Sequence, residues 1–268
     1  MEKENIIYLE SIKKSKFNFE DVDKQALLDL LMNVIGDEDP HVRDDLVYEI
    51  LAHLFYDQVL DEKTLEVYML KLAGDDYLSF DLENTHEHSV LKRSFSILQL
   101  VILVHVHIRD QIINQKIILN VFDKFLEYFL KETILTGYDQ KVGWIHTVAH
   151  SADLMKALMQ VPSFDQTHIK KIFQAVSLKM KNHQHLYAFN EDERIADALL
   201  IGLKRNLLTN EYMDQWLKEF SQIDDVFELP DDVILKKNIK QVLRSLYFKC
   251  LKESELKHIT QTLESILI

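Results

Sequence analysis

Glycine, proline and cysteine are nearly missing: five, three and one among 268 residues. So few turn formers exclude collagen-like, low-complexity and Gly/Pro-turned all-β architectures. One cysteine cannot form a disulfide framework, so nothing points to an oxidising compartment. Long apolar runs are missing too. The longest, Ile97–Val106, is broken by Gln99 and His105 and flanked by Arg93 and Arg109. A bilayer span needs about 20 apolar residues, so this run reads as a buried helix. The first residues are polar and acidic, without a secretory pattern, and the chain is expected in the cytoplasm. G-x-S-x-G, the phosphate-cradling G-x-x-x-x-G-K-[ST] and G-x-G-x-x-G are also lacking, which withdraws support from common acyl-enzyme and nucleotide chemistries.

Basic residues are outnumbered, 31 against 44 acids, for a net charge of −13. The imbalance is local: residues 1–150 hold 15 Lys+Arg and 27 Asp+Glu, whereas 151–268 hold 16 and 17. A duplex-binding surface needs a positive footprint, and the strongest field here has the opposite sign. Nucleic acid and anionic membrane are poor partners, and a basic protein or peptide is a better one. The plainer alternative is an acidic surface kept for solubility.

Apolar residues make up 47% of the chain, and they recur with helical rather than strand periodicity. Asp21 is expected to cap a helix ending at Gly36, and Asp39-Pro40 to open another along Val42, Leu46, Ile50 and Leu54. Further helices are expected after Asp61, over 88–109, after Asn114, over 144–160, after Asp165, over 191–206, after Thr209, over 232–250 and after Ser254, with a short one near 4–13. Taken in pairs they begin near 22, 61, 114, 165 and 209. That spacing is close to the roughly 40–47 residues of HEAT-type hairpins. The expected fold is all-α: a single-domain αα-hairpin solenoid, a HEAT/armadillo-like superhelix. The longest connections, 74–87, 132–143, 184–190 and 224–231, fall inside pairs and so on one edge of such a stack, next to the first turns of the second helices.

Those turns are polar. They hold His41, Arg43 and Asp44; His88, Lys92 and Arg93; Trp144, His146, His150 and Asp153; and Glu191, Asp192, Glu193 and Arg194. Stacking would gather Arg93, Trp144, His146, His150, Asp153, Glu193 and Arg194 into one concave ligand-binding groove. In a helix, His146, His150 and Asp153 share one face at i, i+4 and i+7. Two imidazoles and a carboxylate on one face suit a divalent metal, with a further ligand from His86, His88 or Glu193. HTVAH nevertheless lacks the glutamate that serves zincins as general base. The plainer reading has these side chains bonding loop backbone and stapling hairpins together.

RSFS (Arg93–Ser96), GWIHTVAHSADL (Gly143–Leu154) and EDERIA (Glu191–Ala196) resemble signature segments of the bacterial family called domain of unknown function 2785. Trp144, His146, His150 and Asp153 match its G-W-x-H-x-x-A-H-x-x-D pattern over a core of about 40–210. The resemblance implies an all-helical, HEAT-like cytoplasmic protein and no particular reaction. Two functions fit the sequence. One is a helical-repeat scaffold binding a protein, peptide or small ligand. The other is a metal-dependent hydrolase-like enzyme using His146, His150 and Asp153.

Overall fold

Side-chain caps decide where five of the helices begin. In the computed structural model, which describes residues 1–83, 88–223 and 228–268, twelve α-helices lie among the described residues. Asp23, rather than Asp21, accepts from the amides of Gln25 and Ala26 and opens α2. Asp61, Asn114 and Thr209 cap α4, α6 and α10 as expected. Asp165 and His168 form a reciprocal capping box at the start of α8. Each cap satisfies backbone donors that an uncapped first turn would leave orphaned.

The chain divides into two compact units, Met1–His150 and Ser151–Ile268. The boundary falls inside a helix, so no linker composition marks it. The first unit holds α1 (Lys3–Lys14), α2 (Lys24–Asn33), a π-helical stretch His41–Tyr48 continuing into α3 (Glu49–Tyr56), α4 (Glu62–Leu72), α5 (Ser89–Asp110) and α6 (Gln115–Lys131). It ends with the first turn of α7 (Thr147–Leu158). The second unit holds the rest of α7, α8 (Gln166–Met180), α9 (Glu191–Lys204), α10 (Asn210–Ser221), α11 (Asp231–Cys250) and α12 (Lys257–Leu267), with a 3₁₀ turn Ser254–Leu256 before α12.

In both units, helices two apart in chain order pack on one another. In the first, α3 lies against α5 and α4 against α6. In the second, α9 lies against α11 and α10 against α12. The 22-residue α5 is long and apolar enough by length and composition to cross a membrane, yet 67% of that window is buried inside the protein. Val90, Leu91, Ile97, Leu100, Leu103 and Val104 are each fully covered. The stripe expected from Val42, Leu46, Ile50 and Leu54 is buried as well, although its first half is wound as a π-helix.

Two further expectations are corrected. No strand was expected, but Tyr138–Asp139 and Gly143–Trp144 pair as a short antiparallel hairpin, β1 and β2. Gly143 makes this turn with φ +75°, a region side chains rarely enter. The helix expected over 144–160 consequently begins only at Thr147. The second correction is Gly36, expected to stop α2. The helix ends at Asn33, and Gly36 is instead the point where the chain passes α5: an added Cβ would lie 2.6 Å from the backbone nitrogen of Lys92. Gly36→Ala is therefore expected to lower stability by about 1–3 kcal/mol, the usual cost of overpacking. Urea unfolding would measure this, and an unchanged midpoint would contradict the close approach.

Candidate functional site

Arg43 is fully buried in the first turn of the π-helical stretch. Its Nε donates to Asp44 Oδ1 at 2.9 Å, and Nη1 donates to the Asp37 carbonyl at 3.0 Å. Nη2 donates to the carbonyls of Val142 at 2.8 Å and Trp144 at 3.3 Å. The guanidinium also sits 4.7 Å from the centre of the Phe95 ring. Burial holds the Asp44 carboxyl above its ordinary range, with Arg43 opposing that rise. One buried cation thus ties the β1–β2 hairpin to the helical body through its backbone.

Ser94 on α5 makes a second tie. Its hydroxyl donates to the Ile145 carbonyl at 2.5 Å. The one hydroxyl proton is used there, so Nδ1–H of His150, 2.9 Å away, must donate to Ser94 Oγ. A serine nucleophile needs the opposite arrangement, with the imidazole accepting the hydroxyl proton. Ser94 and His150 therefore do not form such a pair. His150 is buried and meets Phe95 edge-on at 5.4 Å.

A third buried group holds the segment before the hairpin. Arg93 donates to both oxygens of Glu132, at 2.6 and 3.0 Å, and to the Phe80 carbonyl and Ser89 Oγ, both at 2.9 Å. Glu132 ends α6 and also accepts from the Ile134 amide at 2.9 Å. Beside this pair, burial pushes the Tyr128 phenol well above its ordinary value.

The hairpin carries exposed aromatic surface. Tyr138 and Trp144 are 42% and 44% exposed, with ring centres 4.8 Å apart and set edge to face. His146 stacks on Trp144 at 4.3 Å with an interplanar angle of 6°, and meets His150 edge-on at 5.5 Å. His146 has φ +52°, immediately before α7, and its carbonyl accepts the His150 amide. It precedes the helix, so His146 leaves the helical series expected with His150 and Asp153, although its ring still meets that of His150. The physical cause is the β-pairing of Trp144, which keeps the residues before Thr147 out of helical geometry.

Asp153, Glu193 and Arg194 lie in the second unit. Arg194 donates to Asp153 at 2.5 Å. Burial raises the Asp153 carboxyl above its ordinary value and Arg194 pulls against that shift. Glu193 takes Lys249 at 2.8 Å, which also reaches Asp197 at 2.7 Å. The Ser245 hydroxyl lies 2.6 Å from Asp192 and 3.0 Å from Glu193. These are half-exposed pairs, each worth little in water. Among the described residues, no three His, Cys, Asp or Glu side chains group as metal ligands. His88 pairs with Glu38 at 2.6 Å; His86 lies outside the described residues. Ser94, Glu132 and Tyr138 escaped the sequence reading. Tyr138 had a signal, an aromatic on each side of an Asp-led turn closed by Gly143, and Ser94 lay inside the RSFS segment; Glu132 had none.

The fold and these ties define an all-helical protein that presents an aromatic hairpin on a charged, buried anchor. Residues 78–248 match the family described as Protein of unknown function (DUF2785), and the chain belongs to that family. The match begins and ends later than the core of about 40–210 expected from the motifs. No curated protein and no solved structure matches the chain.

The Arg93–Glu132 pair gives a direct check. Removing one partner strands a buried charge and should cost about 3–5 kcal/mol. Arg93→Met is expected to lose that much in chemical unfolding, and the double change Arg93→Met, Glu132→Leu to regain most of it. Equal losses in the two variants would contradict the pairing.

Proposed function

We propose that the protein is a cytoplasmic helical-repeat scaffold that binds a basic protein or peptide, with Tyr138 and Trp144 as anchors. The observation that carries this reading is an exposed Trp–Tyr pair on a hairpin whose carbonyls are held by buried side chains. Trp and Tyr dominate binding energy at protein interfaces, and a surface already fixed loses little entropy when a partner docks. The excess of acids in residues 1–150 supports a partner of positive charge. The packing of helices two apart in each unit supports the repeat reading, since α-hairpin stacks bring like helices together in this way.

The test uses a fluorescent nona-arginine peptide, with nona-glutamate as control, followed by anisotropy. Binding of the basic peptide alone is expected, and it should weaken as salt rises, because exposed charges are screened within about 8–10 Å near physiological ionic strength. Trp144→Ala should weaken it by about tenfold or more, with the helical circular dichroism unchanged. Binding that survives Trp144→Ala and Tyr138→Ala together would overturn the reading.

A further inference from the structure

Away from the hairpin, α3 and α5 leave a cleft of about 480 Å³ between them. Four aromatic residues, Tyr48, His53, Tyr56 and His105, line it together with the apolar Ala52 and Ile102. Asp57 supplies the one carboxylate of the lining, and no lysine or arginine is among the lining residues. His53 stacks on Phe17 with ring centres 3.7 Å apart, and its Nδ1 lies 2.6 Å from Asp57 Oδ2. That pairing fixes the imidazole plane and holds the carboxylate at the cleft.

The chemistry of this lining selects a charge. Aromatic faces are negative and attract cations, most strongly where water is displaced. The Tyr56 ring already does so within the chain: the Arg109 guanidinium sits 4.3 Å from its centre. Asp110 binds Arg109 at 2.6 and 2.8 Å and balances that charge. The excess of acids over bases in residues 1–150, which include the cleft residues, adds attraction for a cation and repulsion for an anion. A cleft of this size fits a small molecule rather than a helix.

We infer that the α3–α5 cleft is a binding site for a small organic cation of the alkylated-ammonium class, held by Tyr48, Tyr56 and the Asp57 carboxylate. A methylated ammonium offers no strong hydrogen bonds to lose on leaving water, so aromatic faces compete well for it. This site is separate from the hairpin, and its occupant differs from the peptide proposed there.

Choline titrated into the full chain, followed by nuclear magnetic resonance and calorimetry, tests the inference. Saturable binding is expected, with shifts confined to α3 and α5. Its neutral isostere 3,3-dimethyl-1-butanol should bind about tenfold or more weakly, the range that cation–π contacts supply. Tyr56→Leu and Asp57→Asn should each weaken choline by about three- to tenfold. Ala52→Leu enlarges a lining side chain without removing a ring and should abolish binding while the fold is kept. Trp144→Ala should leave it unchanged, which separates this site from the peptide reading. Equal binding of the neutral isostere, no saturable binding of choline, or no loss in Ala52→Leu would each overturn the inference.

Discussion

The architecture of the first unit depends on one side chain out of water. Arg43 is wholly buried, and its guanidinium must find acceptors for its N–H groups. It finds them in the Asp44 carboxylate and in three main-chain carbonyls, two of which belong to the hairpin. Those carbonyls in turn gain a charged donor, stronger than a neutral one. The hairpin has only two paired residues on each strand and would be marginal alone. Arg43 and Ser94 hold it from below, and Trp144, Tyr138 and His146 take their positions as a result.

The two groups of charges in the protein therefore do different things. In the first unit, Arg43 and Arg93 are covered, and each neutralises a nearby acid while bonding backbone. Taking Arg93 away leaves the buried Glu132 stranded in a low dielectric, which is costly, and taking Arg43 away leaves the Val142 carbonyl without its buried donor. In the second unit, Asp153, Arg194, Glu193 and Lys249 form half-exposed pairs that water and salt weaken. Similar-looking clusters in sequence thus separate into anchoring and solvated groups once burial is known.

Helix existence was legible because its signals are local. Caps at Asp61, Asn114, Asp165 and Thr209 act within a turn, and apolar stripes repeat along one face. The hairpin was hidden because its stability is not local: the carbonyls of Val142, Trp144 and Ile145 are held by Arg43 and Ser94, far away in the chain. The same tertiary contact overrode the helical spacing of His146, His150 and Asp153. Arg93 was visible as an unusual charge, but its partner Glu132 was not, since an acid ending a helix carries no sign that it will be buried. Gly36 could be picked out in the sequence, though its reason, the backbone of α5 beside it, could not.

Amide hydrogen exchange at Ile145 and His146 tests the anchoring most directly, because both donate to the Gly137 carbonyl, at 2.9 and 3.0 Å. The wild-type amides should be protected. In Ser94→Ala and Arg43→Met their exchange should quicken by about tenfold or more, the factor that losing a hydrogen bond of roughly 1–2 kcal/mol produces, while amides of α9 and α11 keep their rates. Unchanged exchange at Ile145 and His146 in both variants would contradict the claim that buried side chains hold the hairpin in place.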